Sequence, residues 1–230
     1  MNTEKRNLKF YLKMVIIFVG LFILEQLPVV LMSFSAYFQG IVRQIFLFLG
    51  LASLFLLVFF LYRYLRKIGW LTSWQKYLRK EKLFYILKMF ATLMIVNIGT
   101  SVISTFLNAF GLLANPTTEN QQAIEGLFTL VPTWMMGLVI ICLAPLVEET
   151  ICRALVYHTF LNQKVAFVLA TFIFAFLHVF AISWELVVYL AVSAVLTYTY
   201  QKHHSLNESM AVHALNNLFG FLMILLQMKG

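Results

Sequence analysis

Long apolar runs broken by short polar stretches set the plan of this chain. A bilayer core needs about 20 apolar residues per helix. Runs of that order predict spans over residues 14–34, 45–62, 83–113, 127–143, 165–182, 184–200 and 209–228. The third run is too long for one perpendicular helix, so its start is expected in the membrane interface. In the fourth, Pro145 removes a backbone donor and permits a kink. That helix is expected to continue through Glu148, Arg153 and Tyr157. Residues 114–126, ANPTTENQQAIEG, read as the one clear loop, and residues 201–208 as a short polar turn. The pattern predicts an all-α fold, a polytopic membrane helix bundle of about seven transmembrane helices.

Composition agrees with a membrane protein and excludes a soluble domain. The chain is 62% hydrophobic and 11% charged, against roughly 45–50% and about 25% in soluble domains. The net charge of +8 does not point to nucleic acid. Its cations gather at the ends of apolar runs, as topology and anionic lipid require. Lys5, Arg6, Lys9 and Lys13 precede the first run. Arg63, Arg66, Lys67, Lys76, Arg79, Lys80, Lys82 and Lys88 lie between the second and third runs or at their edges. Both groups place the N-terminus in the cytoplasm of a multi-pass protein of the cell membrane. The acidic 114–126 loop then falls outside and Lys164 and Lys202 inside. The C-terminus falls outside too, with Lys229 alone arguing against it. The basic segment 63–82 is amphipathic, with Trp70 and Trp74 as interfacial anchors. The first apolar run is too long for a signal peptide and is read as a retained span. Cys142 and Cys152 are ten residues apart on one expected helix. That separates them by about 15 Å, which excludes a disulfide and leaves two small apolar side chains.

The chemistry sits in the last third. Glu148 and Glu149 are adjacent within CLAPLVEETICRALVYHTF. A carboxylate at membrane depth costs several kcal/mol, from about 3 to above 10, so an intramembrane pair marks a functional site. Arg153 follows Glu149 at i+4, on the same helical face. Two further helices carry Phe174-x-x-x-His178 and His213-x-x-x-Asn217. Polar residues in membrane helices face the bundle interior and pair there. These groups therefore define one candidate pocket. A carboxylate and an imidazole can hold a water and take its proton, while a second imidazole and an amide donate to a developing oxyanion. The same set could bind a divalent cation, since His₂Glu is a hydrolytic zinc set. A metal such as zinc would then rest on Glu148, His178 and His213. No His-Glu-x-x-His frame is present.

Blander readings suit the remaining polar residues. His158 lacks a motif, and His203 and His204 are expected to be solvated. Glu25 with Pro28 could line a cavity, but an interhelical hydrogen bond is the expected reading. Glu185 beside Trp184 marks an interface. Phe172 and Phe176 form lipid or packing surface. Asn216 is a rival to Asn217 but sits at i+3 from His213, slightly off its face.

Glu-Glu-x-x-x-Arg, Phe-x-x-x-His and His-x-x-x-Asn, in this order on successive helices, resemble the three motifs of the CPBP family. These are the CAAX-protease and bacteriocin-processing intramembrane endopeptidases, also called Abi. Ala144-Pro145 matches what the family tends to show before its glutamates. The resemblance covers about residues 125–228. It implies a CPBP-like catalytic core of four helices over 127–230, preceded by N-terminal helices and a cytoplasmic basic loop over 1–126. It implies that Glu148 and His178 activate the attacking water and that His213 and Asn217 stabilise the oxyanion. Glu149 and Arg153 would shape and charge the site. Where the family commonly has Phe-Arg-Gly, this chain has Cys152-Arg153-Ala154, a change in helix packing that removes no catalytic group. Some family members have been called metalloproteases, whereas the prenyl-protein endopeptidase branch resembles a metal-independent glutamate enzyme.

The family likeness implies a peptide or membrane-protein substrate and a link to bacteriocin self-immunity or processing. The other reading is a non-proteolytic membrane protein that binds a sensor kinase, a bacteriocin receptor or a transporter. Its contact surface would be the basic 63–82 segment, with Arg79, Lys80 and Lys82. Within the motif, Glu149 shares a face with Arg153 and is the structural carboxylate. Glu148 is turned about 100° away and is the expected base. The pair lies near the cytoplasmic end of its helix, so the site is expected to open toward the cytoplasm.

Overall fold

The computed structural model describes residues 6–73, 75, 79–115 and 117–227. Trp74, Lys76, Lys5 and Lys229, used above for interfacial anchoring and topology, lie outside the described residues. The described chain is all-helical and contains no strand. Its helices are α1 (Leu8–Phe34), α2 (Gly40–Lys67), α3 (Lys80–Ala109), α4 (Glu119–Leu130), α5 (Thr133–Thr159), α6 (Gln163–His178), α7 (Trp184–His203) and α8 (Leu206–Gln227).

Five of these, α1, α2, α3, α5 and α8, are long and apolar enough to cross a membrane. The other two expected spans fall short in different ways. Helix α6 has only 16 residues, and α7 carries Glu185, Gln201, Lys202 and several hydroxyls that dilute its apolarity. Helix α5 is the central element. Two-thirds (67%) of its most apolar stretch is buried, against 17–22% in the other four long helices. The outer helices thus expose their apolar faces, as a bilayer solvent requires.

Local chemistry sets several boundaries. The segment expected to be a loop at 114–126 instead forms α4 from Glu119 onward. Thr118 caps it by accepting the Gln121 N–H at 3.3 Å. The Glu185 carboxylate accepts the Glu119 N–H at 3.1 Å, so this residue caps a neighbouring helix as well as standing beside Trp184. Ile124, Leu127 and Phe128 share the inward face of α4. The polar turn expected at 201–208 shrinks to His204 and Ser205. His204 takes the left-handed conformation (φ 46°) that ends α7.

Buried polar contacts close the basic end of the bundle. Glu208, fully buried near the start of α8, pairs with Lys82 at 2.5 Å and with His203 Nδ1 at 2.7 Å. His203 is therefore a carboxylate partner and not a freely solvated turn residue, and Lys82 is engaged inside the fold. Asn207 accepts the Thr72 N–H at 2.9 Å and donates to the Thr72 carbonyl at 3.2 Å, fastening the chain between α2 and α3 to α8. Arg6 donates to the carbonyls of Thr159 and His158 at 2.8 and 3.0 Å. That satisfies free carbonyls at the C-terminus of α5 with a cation, the favourable sign for that helix end. Trp70, expected as an interfacial anchor, packs its ring 5.5 Å from that of His158.

Helix α1 presents one stripe to the core: Phe10, Met14, Glu25, Pro28 and Met32 are buried. Phe10 and Met14 pack on Leu155 of α5. Helices α1 and α2 pack tightly at Gly50, where an added Cβ would lie 2.9 Å from the Pro28 carbonyl oxygen. Gly50→Val should force the two helices apart and lower stability by about 1–3 kcal/mol, the usual cost of overpacking. Thermal unfolding of the purified protein in detergent measures it.

Candidate active site

Helix α5 departs from α geometry twice, and both departures flank the glutamates. Residues Val139–Leu143 and Thr150–Ala154 form π turns on either side of Ala144–Glu149. Single π turns inside α-helices recur at functional sites. In the first, the Ala144 N–H donates to the Val139 carbonyl. The next bond in that register would run from residue 145 to Ile140, but a proline has no N–H to give. Asn217 Nδ2 of α8 supplies it, donating to the Ile140 carbonyl at 2.9 Å. The third motif's amide thereby satisfies a carbonyl left free by Pro145.

The two glutamates occupy different environments. Glu149 is fully buried and pairs with Arg153 at 3.0 Å. The same oxygen accepts His213 Nδ1–H at 2.9 Å. Glu148 sits at the edge of the pocket with its side chain 16% exposed. Its Oε2 atom is nonetheless enclosed and has no hydrogen-bond partner among the described residues. That oxygen lies 3.7 Å from His178 Nε2 and 3.8 Å from His213 Nε2. Both gaps exceed a direct hydrogen bond and suit a bridging molecule.

The imidazoles are held by their other nitrogens. His178 Nδ1 contacts the Phe174 carbonyl at 2.8 Å, where it can only donate. His213 Nδ1 donates to Glu149. Each ring therefore turns Nε2 toward Glu148. Phe174, 2% exposed, is the platform beneath them. Its ring lies 4.4 Å from that of His178 and 5.6 Å from that of His213, and the Arg153 guanidinium sits 4.3 Å above it. The spacing Phe174-x-x-x-His178 thus places one ring to stack and one carbonyl to fix a tautomer.

The structure brings together Glu148, Glu149, Arg153, His178 and His213, while Asn217, one turn along α8 from His213, is bonded to the Ile140 carbonyl of α5. Asn216 has a separate role, accepting from Asn97 Nδ2 of α3 at 2.7 Å. The departure from the family pattern, Cys152 and Ala154, falls in the second π turn, where both side chains are buried.

Sequence reasoning missed three contributors. Ser193 of α7 accepts from Arg153 Nη2 at 3.0 Å. Tyr189 stacks on His178 at 4.7 Å. Their signal was the i, i+4 polar stripe Tyr189, Ser193, Thr197 on an apolar helix. Glu25 is the third. The expected interhelical hydrogen bond is not formed among the described residues. Glu25 is instead 7% exposed on the buried stripe of α1, which packs against the glutamate-bearing part of α5.

Metal binding was weighed for Glu148, His178 and His213. Among the described residues, no group of three His, Cys, Asp or Glu side chains is arranged to hold a metal ion.

Comparison with known proteins agrees with the three motifs. The family model for type II CAAX prenyl endopeptidase Rce1-like proteins matches residues 129–219, from late α4 to mid α8. The UPF0177 protein YaiF of Lactococcus lactis subsp. lactis (strain IL1403) is 30% identical over 210 residues, covering 87% of this chain and 92% of that protein. YbdI of the same strain is 25% identical over 167 residues, 72% of this chain and 90% of its own length. YxdF, also from that strain, is 36% identical over 87 residues, and the match spans only 46% of its length. No solved structure matches the chain. Fold and site define a multi-pass helical membrane protein whose site-bearing part, residues 129–219, is similar to the type II CAAX prenyl endopeptidase Rce1-like proteins. The chain belongs to the UPF0177 family.

The buried pair gives a stability prediction. Glu149→Gln leaves Arg153 buried without its counter-charge and should cost about 3–5 kcal/mol. Replacing both, Glu149→Gln with Arg153→Met, should recover a large part of that loss. Denaturant titration in detergent compares the two variants.

Proposed function

We propose that this protein is an intramembrane endopeptidase that hydrolyses a peptide bond of a peptide or membrane-associated substrate. The observation that carries the reading is the unpartnered Glu148 Oε2, faced by two imidazole nitrogens at 3.7 and 3.8 Å. A water held between Glu148 and His178 would lose its proton to the carboxylate as it attacks the scissile carbonyl. With its Nδ1–H committed to Glu149, His213 would donate from Nε2 only as the imidazolium, and in this scheme it meets the tetrahedral oxyanion in that form together with the second Asn217 amide hydrogen. Glu149, paired with Arg153, would hold His213 in position and steady its positive charge. The proton on Glu148 would then pass to the leaving amine, which returns the base to its starting state. Glu148, His178, His213 and Asn217 act on the reacting atoms in this scheme, while Glu149 and Arg153 position them.

The division of labour along the chain follows the same reading. Residues 127–230 form the catalytic core, and 1–126 supply the surrounding helices and the basic loop. The basic end, with Arg6, Arg63, Arg66 and Lys67, faces the cytoplasm under the positive-inside rule, and the protein resides in the cell membrane. Bacteriocin self-immunity or processing is the biological setting we infer, on family likeness.

The test is cleavage by purified protein in detergent, using a fluorogenic peptide library. Glu148→Gln and His178→Ala should each lower kcat/KM by about 10²–10⁴-fold with thermal unfolding unchanged. Full activity in either variant would sink the proposal. Addition of a chelator should leave the wild-type rate intact.

A further inference from the structure

A second site lies away from the glutamates, on the outer face of the bundle between α3 and α7. The two helices leave a cleft of about 540 Å³, a volume within the range of small-molecule sites. On α3 its wall is Tyr85, Lys88, Met89 and Thr92, the i, i+3, i+4, i+7 stripe of one helical face. On α7 it is Ala194, Val195, Tyr198 and Lys202, again one face. Tyr85 spans the base of the cleft, its hydroxyl 3.4 Å from the Thr199 carbonyl and its ring 4.7 Å from that of His203.

The charge is lopsided. Lys88 and Lys202 are exposed and make no ion pair among the described residues. The nearest buried carboxylate, Glu208, is occupied by Lys82 and His203. Lys88 lies eight residues into α3, about 12 Å from its start, and Lys202 lies in the last turn of α7. Both ammonium groups can extend toward the basic end of the bundle on their long stems. The cleft therefore offers an apolar floor with two uncompensated cations at one end.

We propose that this cleft binds an anionic phospholipid. The phosphate sits between Lys88 and Lys202, and an acyl chain lies over Met89, Val195 and Tyr198. An amphiphile with a negative head is the occupant that matches both halves of the site, and basic recesses between membrane helices recognise such headgroups. A soluble anion would leave the floor uncovered.

The test uses the full chain, delipidated in detergent. It is titrated with dioleoylphosphatidylglycerol, dioleoylphosphatidylcholine or glycerol 3-phosphate and followed by native mass spectrometry and thermal unfolding. Phosphatidylglycerol should be retained and should raise the unfolding midpoint. Phosphatidylcholine and glycerol 3-phosphate should do neither. Lys88→Gln with Lys202→Gln should weaken phosphatidylglycerol binding about 30-fold, at about one kcal/mol for each lysine lost. Ala194→Trp, which fills the floor and spares both lysines, should weaken it as well. Equal retention of the two lipids would overturn the proposal. So would full competition by glycerol 3-phosphate, which would make this a simple anion site. Indifference to every lipid would overturn it too and leave the cleft to a partner helix. If the variants fail to fold, the comparison of the two lipids on the wild type still decides.

Discussion

The structure depends on one buried guanidinium. Arg153 has no access to water, and every contact it makes comes from a different direction. Glu149 meets it from its own helix, Ser193 from α7 and the face of Phe174 from α6. Glu149 passes the connection to His213 of α8. Four helices are thus held in register by a charge that would be intolerable alone. Such pairs contribute little net stability compared with apolar packing of the same shape. What this one contributes is geometry, because the arrangement that pairs Arg153 with Glu149 and seats it on Phe174 also turns both imidazoles toward Glu148.

The neighbouring glutamate inverts that logic. One residue along a helix is a rotation of about 100°. That rotation moves Glu148 out of the ion pair and toward the rim of the pocket. A carboxylate oxygen enclosed there without a donor is expensive to maintain. Glu25 on α1 adds a second carboxyl nearby. Around Glu148 the protein places two Nε2 atoms at a distance too long for direct bonding. The apolar shell and the polar centre are therefore complementary: the first supplies enclosure, the second an unfilled bonding capacity that a reactant can meet.

Much of this was legible in the sequence. The long apolar runs gave α1, α2, α3, α5 and α8, and the cost of intramembrane charge singled out the glutamate pair, to which i, i+4 spacing added Arg153, His178, His213 and Asn217 as candidates. Other features were hidden for identifiable reasons. Residues 119–126 of α4 read as a loop because their polar side chains outnumber the apolar ones, and the helix's N-terminal bonds come from Thr118 and the distant Glu185. The pairing of His203 with Glu208 could not be seen because the turn between α7 and α8 proved shorter than its polar composition suggested. The π turns carry no periodicity signal, since an inserted residue in a uniformly apolar helix changes no pattern. Tyr189 and Ser193 were passed over because hydroxyls in membrane helices so often bond their own backbone, as Thr150 and Thr199 do here.

The two π turns also govern how the chain can change length. Each holds one residue more than an ordinary helical turn would. Loss of a single residue from 150–154 would relax that turn to α geometry and swing everything beyond it by about 100°. Arg153 would then leave Glu149, and Leu155 would leave Phe10 and Met14. Loss of a residue from 139–143 would separate the Ile140 carbonyl from Asn217 in the same way. Among its described residues, the connection between α3 and α4 contains no π turn that fixes its length. Insertions and deletions among relatives should therefore collect there and be absent from 139–154, even where side chains in that helix differ. In this helix the number of residues is a stricter requirement than the identity of many of them.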